Sequence, residues 1–248
     1  MPAAYTLKDF TSLLRLLAER GVDYVVIGGC AVGAYAQLQG EAVVSADLDI
    51  FTTSSALHEL LAWAPLHGIV VVKQPQPRSI PVAVLEWNAL EVNVLTGAPG
   101  LPSYGVVARM AREFELKEHG ALVVPVADPL DILANKLTAA RDKDQPHIEI
   151  LRGFIEEEIV LAFETQRGRR RVMLARRYLE VLGRPMLAEP LAARLLPLAA
   201  DPIDFRFLAG RVPTKRQALE VVDRARARGA EVDDIYAIVS TRTFEIPD

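Results

Sequence analysis

A single cysteine, Cys30, rules out an internal disulfide and fits a reducing compartment. Histidine is nearly as scarce, and its four scattered copies give no zinc-ligand spacing. No apolar run approaches the roughly 20 residues needed to span a bilayer, so no membrane segment is expected. Basic residues do not outnumber acidic ones: 28 Lys and Arg against 32 Asp and Glu leave a formal charge of −4. The chain as a whole is therefore not built electrostatically for nucleic acid, although a local basic patch is compatible with that balance. The first ten residues lack the basic-then-apolar build of a secretory signal, and a cytoplasmic protein is expected. There is no internal repeat and no low-complexity tract. What remains is ordinary globular composition over 248 residues, enough for one large domain or two modest ones.

Periodicity changes midway along the chain. Thr6 and Asp9 can cap a first helix, with Phe10, Leu13, Leu14 and Leu17 at helical spacing and an end near Gly21. Tyr24 to Ile27 reads as a short strand, and the small, Ala-rich run Cys30 to Leu38 as a helix that could pack tightly on a sheet. Leu48 to Phe51, Ile69 to Val72, Val82 to Leu85 and Leu90 to Leu95 read as further strands, with a helix over Ala56 to Trp63 capped by Ser54 or Ser55. Asn88-Ala89 is short enough for a hairpin turn but lacks the usual glycine. A second hairpin joins Phe114–Lys117 to Ala121–Val126, turning at His119-Gly120. Asp128-Pro129 then supplies an N-cap followed by proline at the first helical position. Beyond it the pattern is helical nearly to the end, with helices over Ile148–Phe163, Val172–Leu182, Leu191–Leu198 and Thr214–Arg228. The expected architecture is α/β (α+β): a small, mixed, twisted sheet flanked by helices over 1–127, then an all-helical region over 128–248.

Two short signatures stand eighteen residues apart in the first half: Ile27-Gly28-Gly29 and Asp47-Leu48-Asp49-Ile50. The first puts two residues without side chains where a strand turns into a helix. The second puts two carboxylates on one strand face, since strand side chains alternate with a period of two. Gly-Gly is often only a turn, and Asp-x-Asp is often a solvated strand edge. Their order and separation carry the inference. Paired carboxylates repel and are costly to bury, and a divalent cation resolves the conflict. Mg²⁺ takes oxygen ligands, typically one or two carboxylates with phosphates completing its shell. Glycines allow backbone N–H groups and a helix N-terminus to approach an anion. The combination suits phosphoryl or nucleotidyl transfer.

Ile27-Gly28-Gly29-Cys30-Ala31-Val32 followed by Ser45-x-Asp47-Leu48-Asp49-Ile50 resembles the DNA polymerase β-like nucleotidyltransferase superfamily. The likeness is greater to its minimal bacterial members, among them antibiotic and toxin–antitoxin nucleotidyltransferases. Asp128-Pro129, Asn135-Lys136-Leu137 and Arg141-x-Lys143-Asp144 are similar to the helix those members carry after the sheet, so the likeness covers about residues 20 to 150. It implies a metal-bound nucleoside triphosphate and transfer of a nucleoside monophosphate to an acceptor hydroxyl. By the same resemblance Gly28 and Gly29 would hold phosphates, Asp47 and Asp49 the Mg²⁺ (or Mn²⁺), and Lys136 a phosphate oxygen. The chain departs from the pattern at Val43, where an arginine is usual, at Ser45, where threonine is usual, and at the third carboxylate. The register position for that carboxylate on Leu90–Leu95 is Asn93, which could ligate a cation through its carbonyl but cannot take a proton at neutral pH. Glu91, two residues earlier on the same face, is the candidate to take over that role.

Cys30 reads as a small packing residue, and His147 as a surface histidine. Arg167, Arg169, Arg170, Arg171, Arg176 and Arg177 crowd a stretch with an apolar stripe at Val172, Ala175, Leu179 and Leu182. At helical spacing Arg170 and Arg177 fall opposite the stripe, with Arg169 and Arg176 flanking it. They form a solvated outer face or a contact for a phosphate-rich acceptor such as tRNA. The functional expectation is a Mg-dependent nucleotidyltransferase acting on a small hydroxylated molecule, a protein or an RNA. The alternative is a degenerate, non-catalytic nucleotide-binding or interaction module of the same fold.

Overall fold

The computed structural model describes residues 4–76, 82–117 and 120–244. Contacts divide the chain into two units, one up to Phe154 and one from Ile155. The strands end at Val126, one residue before the expected boundary at 127/128, whereas the packing division falls inside a long helix.

The first unit is built on a seven-stranded mixed sheet with the order β3-β4-β5-β2-β1-β7-β6. The strands are β1 (Tyr24–Ile27), β2 (Leu48–Thr52), β3 (Val70–Lys73), β4 (Val82–Trp87), β5 (Leu90–Leu95), β6 (Arg112–Leu116) and β7 (Leu122–Val126). β2 runs antiparallel to β1 and parallel to β5, and β1 runs parallel to β7. The two hairpins β4–β5 and β6–β7 supply the wings. All four residues of β1 are buried, as expected of a central strand covered on both faces. The β4–β5 turn has both Asn88 and Ala89 at positive φ, 51° and 63°. That is the conformation a two-residue hairpin demands, here adopted without glycine. His119, expected in the β6–β7 turn, lies outside the described residues.

Helices cover the sheet. A 3₁₀ turn (Leu7–Phe10) leads into α1 (Thr11–Glu19), whose Phe10, Leu13, Leu14 and Leu17 are buried as their spacing predicts. α2 (Gly28–Leu38) packs on β1, β2 and α5 (Pro129–Ala139) through Ala31, Ala34, Tyr35 and Ala36. Small residues let this helix sit close: a Cβ on Gly33 would come within 2.9 Å of the Val43 carbonyl oxygen. Tyr35 is fully buried and donates its hydroxyl to the Ala127 carbonyl at 2.7 Å, which satisfies its one polar atom. α3 (Ser54–Trp63) is capped by Thr53 rather than by a serine, the Thr53 hydroxyl accepting from Ala56 N–H. α4 (Tyr104–Met110) is a helix that the sequence pattern does not announce. α5 starts as expected, with Asp128 accepting from the Leu130 N–H and proline at the first position.

α6 (Gln145–Thr165) leaves the first unit and continues into the second. The second unit holds α7 (Arg169–Leu182), α8 (Glu189–Leu195), α9 (Pro202–Arg211), α10 (Lys215–Ala227) and α11 (Asp233–Ser240). Within it Arg171 departs from its arginine neighbours. It is 2% exposed and donates to Asp204, to Asp201 at 3.0 Å, and to the carbonyls of Phe163 and Gln166 at 2.9 and 2.7 Å. Asp204 is itself fully buried, so the guanidinium and the carboxylate exist only by virtue of each other. Among the described residues no helix is long and apolar enough to cross a membrane.

Replacing Arg171 with methionine removes one half of that pair and leaves Asp204 buried without its cation. The expected cost is about 3–5 kcal/mol, to be read as a lowered midpoint in urea denaturation. Arg170→Met, a change on the exposed face of the same helix, should stay within about 0.5 kcal/mol.

Candidate functional site

β1 ends at Ile27 and α2 begins at once with Gly28, so no loop separates the two. Ile27 offers no side-chain cap to the first N–H groups of α2, which leaves that helix end open to an anion. Gly28 has φ +69°, a left-handed conformation that glycine adopts freely. A Cβ there would lie 1.9 Å from Oδ2 of Asp49, and one on Gly29 would lie 2.4 Å from Oγ of Ser45. The glycine pair and the aspartate pair are therefore in direct contact. The expectation assigned the missing side chains to a phosphate; their first effect is to make room for Asp49 and Ser45.

The register of the sheet explains the convergence. Ile27 pairs with Asp49 across β1–β2, and Asp49 pairs with Asn93 across β2–β5. Asp47 precedes β2 rather than lying within it. Its carboxylate still reaches the same place, because Asn93 Nδ2 donates both to Asp47 Oδ2 at 2.9 Å and to Asp49 Oδ1 at 3.1 Å. Ser45, bridged to Tyr5 by paired 2.7 Å backbone bonds, donates its hydroxyl to Asp47 Oδ1 at 3.2 Å. Cys30 donates its thiol to the Asp47 carbonyl at 3.3 Å. Burial, reinforced by Asp49 and Asp47, pushes that thiol up to about 12, so it is no nucleophile at neutral pH. The packing role expected of Cys30 fits this environment.

Asp49 bears the cost of the pairing. Burial first and the neighbouring Asp47 second push its carboxyl up to about 6, against the stabilising pull of Asn93, Lys136 and Arg141. Two carboxylates tied to one amide, one of them reluctant to ionise, form a donor set suited to a hard cation with oxygen ligands. A half-turn of the Asn93 amide would present its oxygen in place of its nitrogen.

Two further expected residues, Glu91 and Lys136, have surroundings of their own. Glu91 is exposed and faces Glu86 across β4–β5. Among the described residues no group of three His, Cys, Asp or Glu side chains is arranged to hold a metal. Lys136 does not snorkel to solvent: it is 2% exposed, with Nζ 2.8 Å from Asp144 Oδ1. Arg141 reaches the other oxygen of Asp144 at 2.6 Å. Desolvation raises the Asp144 carboxyl, but the bonds and charges of Lys136 and Arg141 outweigh it and hold the group below the usual range. Lys136 and Arg141 also line a hollow of about 460 Å³ with Leu137, Gln145 and Ile148. His147 is a correction, since it is half-buried beside Asp144 and not a surface residue. Burial depresses its pKa, and its Nδ1 has no hydrogen-bond partner. Asp144 is the residue whose part sequence reasoning left open, because a lysine eight positions away carries no local pairing signal.

Of the arginines expected on one face, Arg169, Arg170 and Arg176 are exposed and Arg177 is half-buried. They belong to the second unit.

No family model matches the chain, and no curated protein matches it. Solved structures of nucleotidyltransferases are similar to it. The lincosamide antibiotic adenylyltransferase LnuA, in its lincomycin-bound form, is 15% identical over 61% of this chain and 99% of its own, with a TM-score of 0.42. The antibiotic-resistance factor ANT(2″)-Ia, in complex with adenylyl-2″-tobramycin, is 15% identical over 68% of this chain and 99% of its own, with a TM-score of 0.41. An antigenic nucleotidyltransferase-like protein from Paracoccidioides brasiliensis is 18% identical over 86% and 98%, with a TM-score of 0.36. At these scores the reading of the site stands on the chain's own side chains.

Asp49 has a folded-state pKa above its ordinary 3.8, so its protonated form stabilises the fold. That stability is complete below about pH 4 and is lost as pH rises through about 6. In EDTA the melting temperature should fall over that window by the equivalent of about 1–3 kcal/mol, and Asp49→Asn should flatten the profile. Gly28→Ala should cost more than Gly68→Ala. Both glycines have positive φ, but only a Cβ at 28 meets another atom. Urea midpoints should place the first at least about 1 kcal/mol above the roughly 1 kcal/mol expected of the second.

Proposed function

We propose that the chain binds a nucleoside triphosphate with a divalent cation at Asp47 and Asp49 and transfers a nucleoside monophosphate from it to an acceptor hydroxyl. The observation that carries this reading is the convergence of Asp47, Asp49 and Asn93 on the Gly28-Gly29 helix start. Mg²⁺ or Mn²⁺, when bound, would neutralise phosphate charge and polarise the phosphoryl oxygen. Asp47 and Asp49 would hold the cation, Asn93 would add its amide oxygen, and Ser45 would steady Asp47. The uncapped N–H groups of α2 at Gly28 and Gly29 would take phosphate oxygens. Lys136 would reach a phosphate by parting from Asp144, which Arg141 would continue to neutralise. Glu91 is the carboxylate assigned to the acceptor's proton, a task that the Asn93 amide cannot perform. The acceptor is a small hydroxylated molecule, a protein side chain or an RNA, the last through Arg169, Arg170, Arg176 and Arg177. The protein would act in the cytoplasm.

A second reading is favoured by Asn93 itself, an amide at the register position beside Asp49. A site with two carboxylates and an amide could bind metal and nucleotide without turnover, as a regulatory or interaction module.

Calorimetric titration with each of the four triphosphates, with and without Mg²⁺, tests the shared premise. Metal-dependent binding is expected, weakened at least a hundredfold in Asp47→Asn/Asp49→Asn; absence of binding by all four overturns both readings. Turnover separates them. Glu91→Gln should abolish transfer while the triphosphate Kd stays within about twofold, and transfer at an unchanged rate would remove Glu91 from the mechanism.

A further inference from the structure

The helical second unit carries a concentration of positive charge of which the nucleotide reading uses Arg176 alone, for an RNA acceptor. Arg176 on α7, Arg206 and Arg211 on α9, and Arg242 just after α11 line one pocket of about 380 Å³ with Phe207 and Met186. Among the described residues no acidic side chain lines it. Arg206 has a carboxylate partner, Asp234 at 2.6 Å, at an exposed rim. Arg176, Arg211 and Arg242 have no carboxylate partner among the described residues. Arg176 lies over the Phe207 ring, 6.0 Å from its centroid. Arg211 donates to the Pro185 carbonyl at 2.9 Å.

Arg242 is the unusual member. It is half-buried and donates to the carbonyls of Ala209 and Val212 at the end of α9, and to the Met186 sulfur. Its Nε is buried with no hydrogen-bond partner. Burial, then the charge of Arg211, holds its pKa below the ordinary value. Capping the carbonyls of α9 explains why a cation sits at Arg242. It does not explain three further guanidiniums around the same hollow, each of which adds like charge to the others. Guanidiniums offer planar, paired donors that fit phosphate oxygens, and Phe207 and Met186 provide an apolar wall beside them.

We propose that this pocket is a binding site for a small phosphate-bearing molecule, its phosphate held by Arg176, Arg206, Arg211 and Arg242 and an adjoining apolar group against Phe207 and Met186. The pocket belongs to the second unit and the aspartate pair to the first, and the pocket needs no metal. It would give the protein a second ligand, as an effector or as the anchor of an acceptor.

The test uses the full chain carrying Asp47→Asn/Asp49→Asn, in EDTA, so that binding at the aspartate pair contributes nothing. Sodium pyrophosphate and phenyl phosphate are titrated calorimetrically, with inorganic phosphate as the reference. Both probes should bind, phenyl phosphate more tightly than inorganic phosphate through its ring, with affinity falling as salt rises. Arg176→Gln/Arg206→Gln should weaken both at least tenfold. Neither residue holds a backbone group, so the unchanged melting curve expected of this variant separates a lost site from a lost fold. Arg242→Gln is read only where its circular dichroism matches the parent. No heat from either probe, or equal affinity in the double arginine variant, overturns the proposal. So does a single-stranded 12-nucleotide RNA that binds through these arginines when the small phosphates do not, since the pocket would then be a stop along a polynucleotide track. Failure of the triphosphate titrations leaves this result untouched.

Discussion

The site depends on how closely Asp49 approaches the first residue of α2. Its carboxylate occupies the space where a side chain at position 28 would stand, so the strand pair β1–β2 can bring an acidic group to a helix N-terminus only through glycine. That one contact fixes several others. It sets the register in which Ile27 faces Asp49 and Asp49 faces Asn93. It also brings Ser45 against Gly29 and Cys30 beneath Asp47. A helix dipole and two carboxylates then share one corner of the sheet. The helix end favours negative charge, while burial and mutual repulsion oppose it. Burial first and Asp47 second push the Asp49 carboxyl up to about 6.

Buried charge is handled in three ways within this chain. The Arg171–Asp204 pair is closed on itself, with carbonyl acceptors completing the guanidinium's bonds, and holds a helical core together. The Lys136–Asp144–Arg141 group has one carboxylate between two cations, so one of the cations can be spared without leaving Asp144 alone. The aspartate pair has only an amide between its members, and an amide contributes a dipole rather than a charge. Of the three it is the least compensated, and an incompletely compensated group is where a ligand gains most by arriving. The arginine pocket of the helical unit has the same property with the opposite sign.

Much of the architecture is legible in the sequence, and for identifiable reasons. Tyr24–Ile27 and Leu90–Leu95 follow local apolar and β-branched patterns, and Asp128-Pro129 marks a helix start by backbone chemistry alone. α4 is short, and its residues Tyr104–Met110 bury only Val107, so no periodic stripe exists to be read. Asn88-Ala89 turns without glycine because β4 and β5 pair along their whole length and impose the positive φ on the two residues between them. Arg171 looks the same in sequence as Arg169, Arg170, Arg176 and Arg177. Only the arrival of Asp204 and Asp201, about thirty positions later, turns one of five arginines into a core residue. Arg206, Arg211 and Arg242 are too widely separated from Arg176 to make a local run, and their common pocket has no signature in one dimension.

The sequence by itself determined the kinds of group available and the short-range order of the site: two glycines ending a strand, two aspartates one residue apart, and an amide in place of an acid at Asn93. Those are properties of neighbours along the chain, set by side-chain chemistry and by the periodicity of strands and helices. Tertiary structure alone decided which of these groups meet. It placed Asp47 and Asp49 on the amide nitrogen of Asn93, left Glu91 in solvent, and closed Lys136 onto Asp144. The reason is physical: strand register and helix packing act over tens of residues, and a buried charge is settled by whatever partner the fold delivers to it.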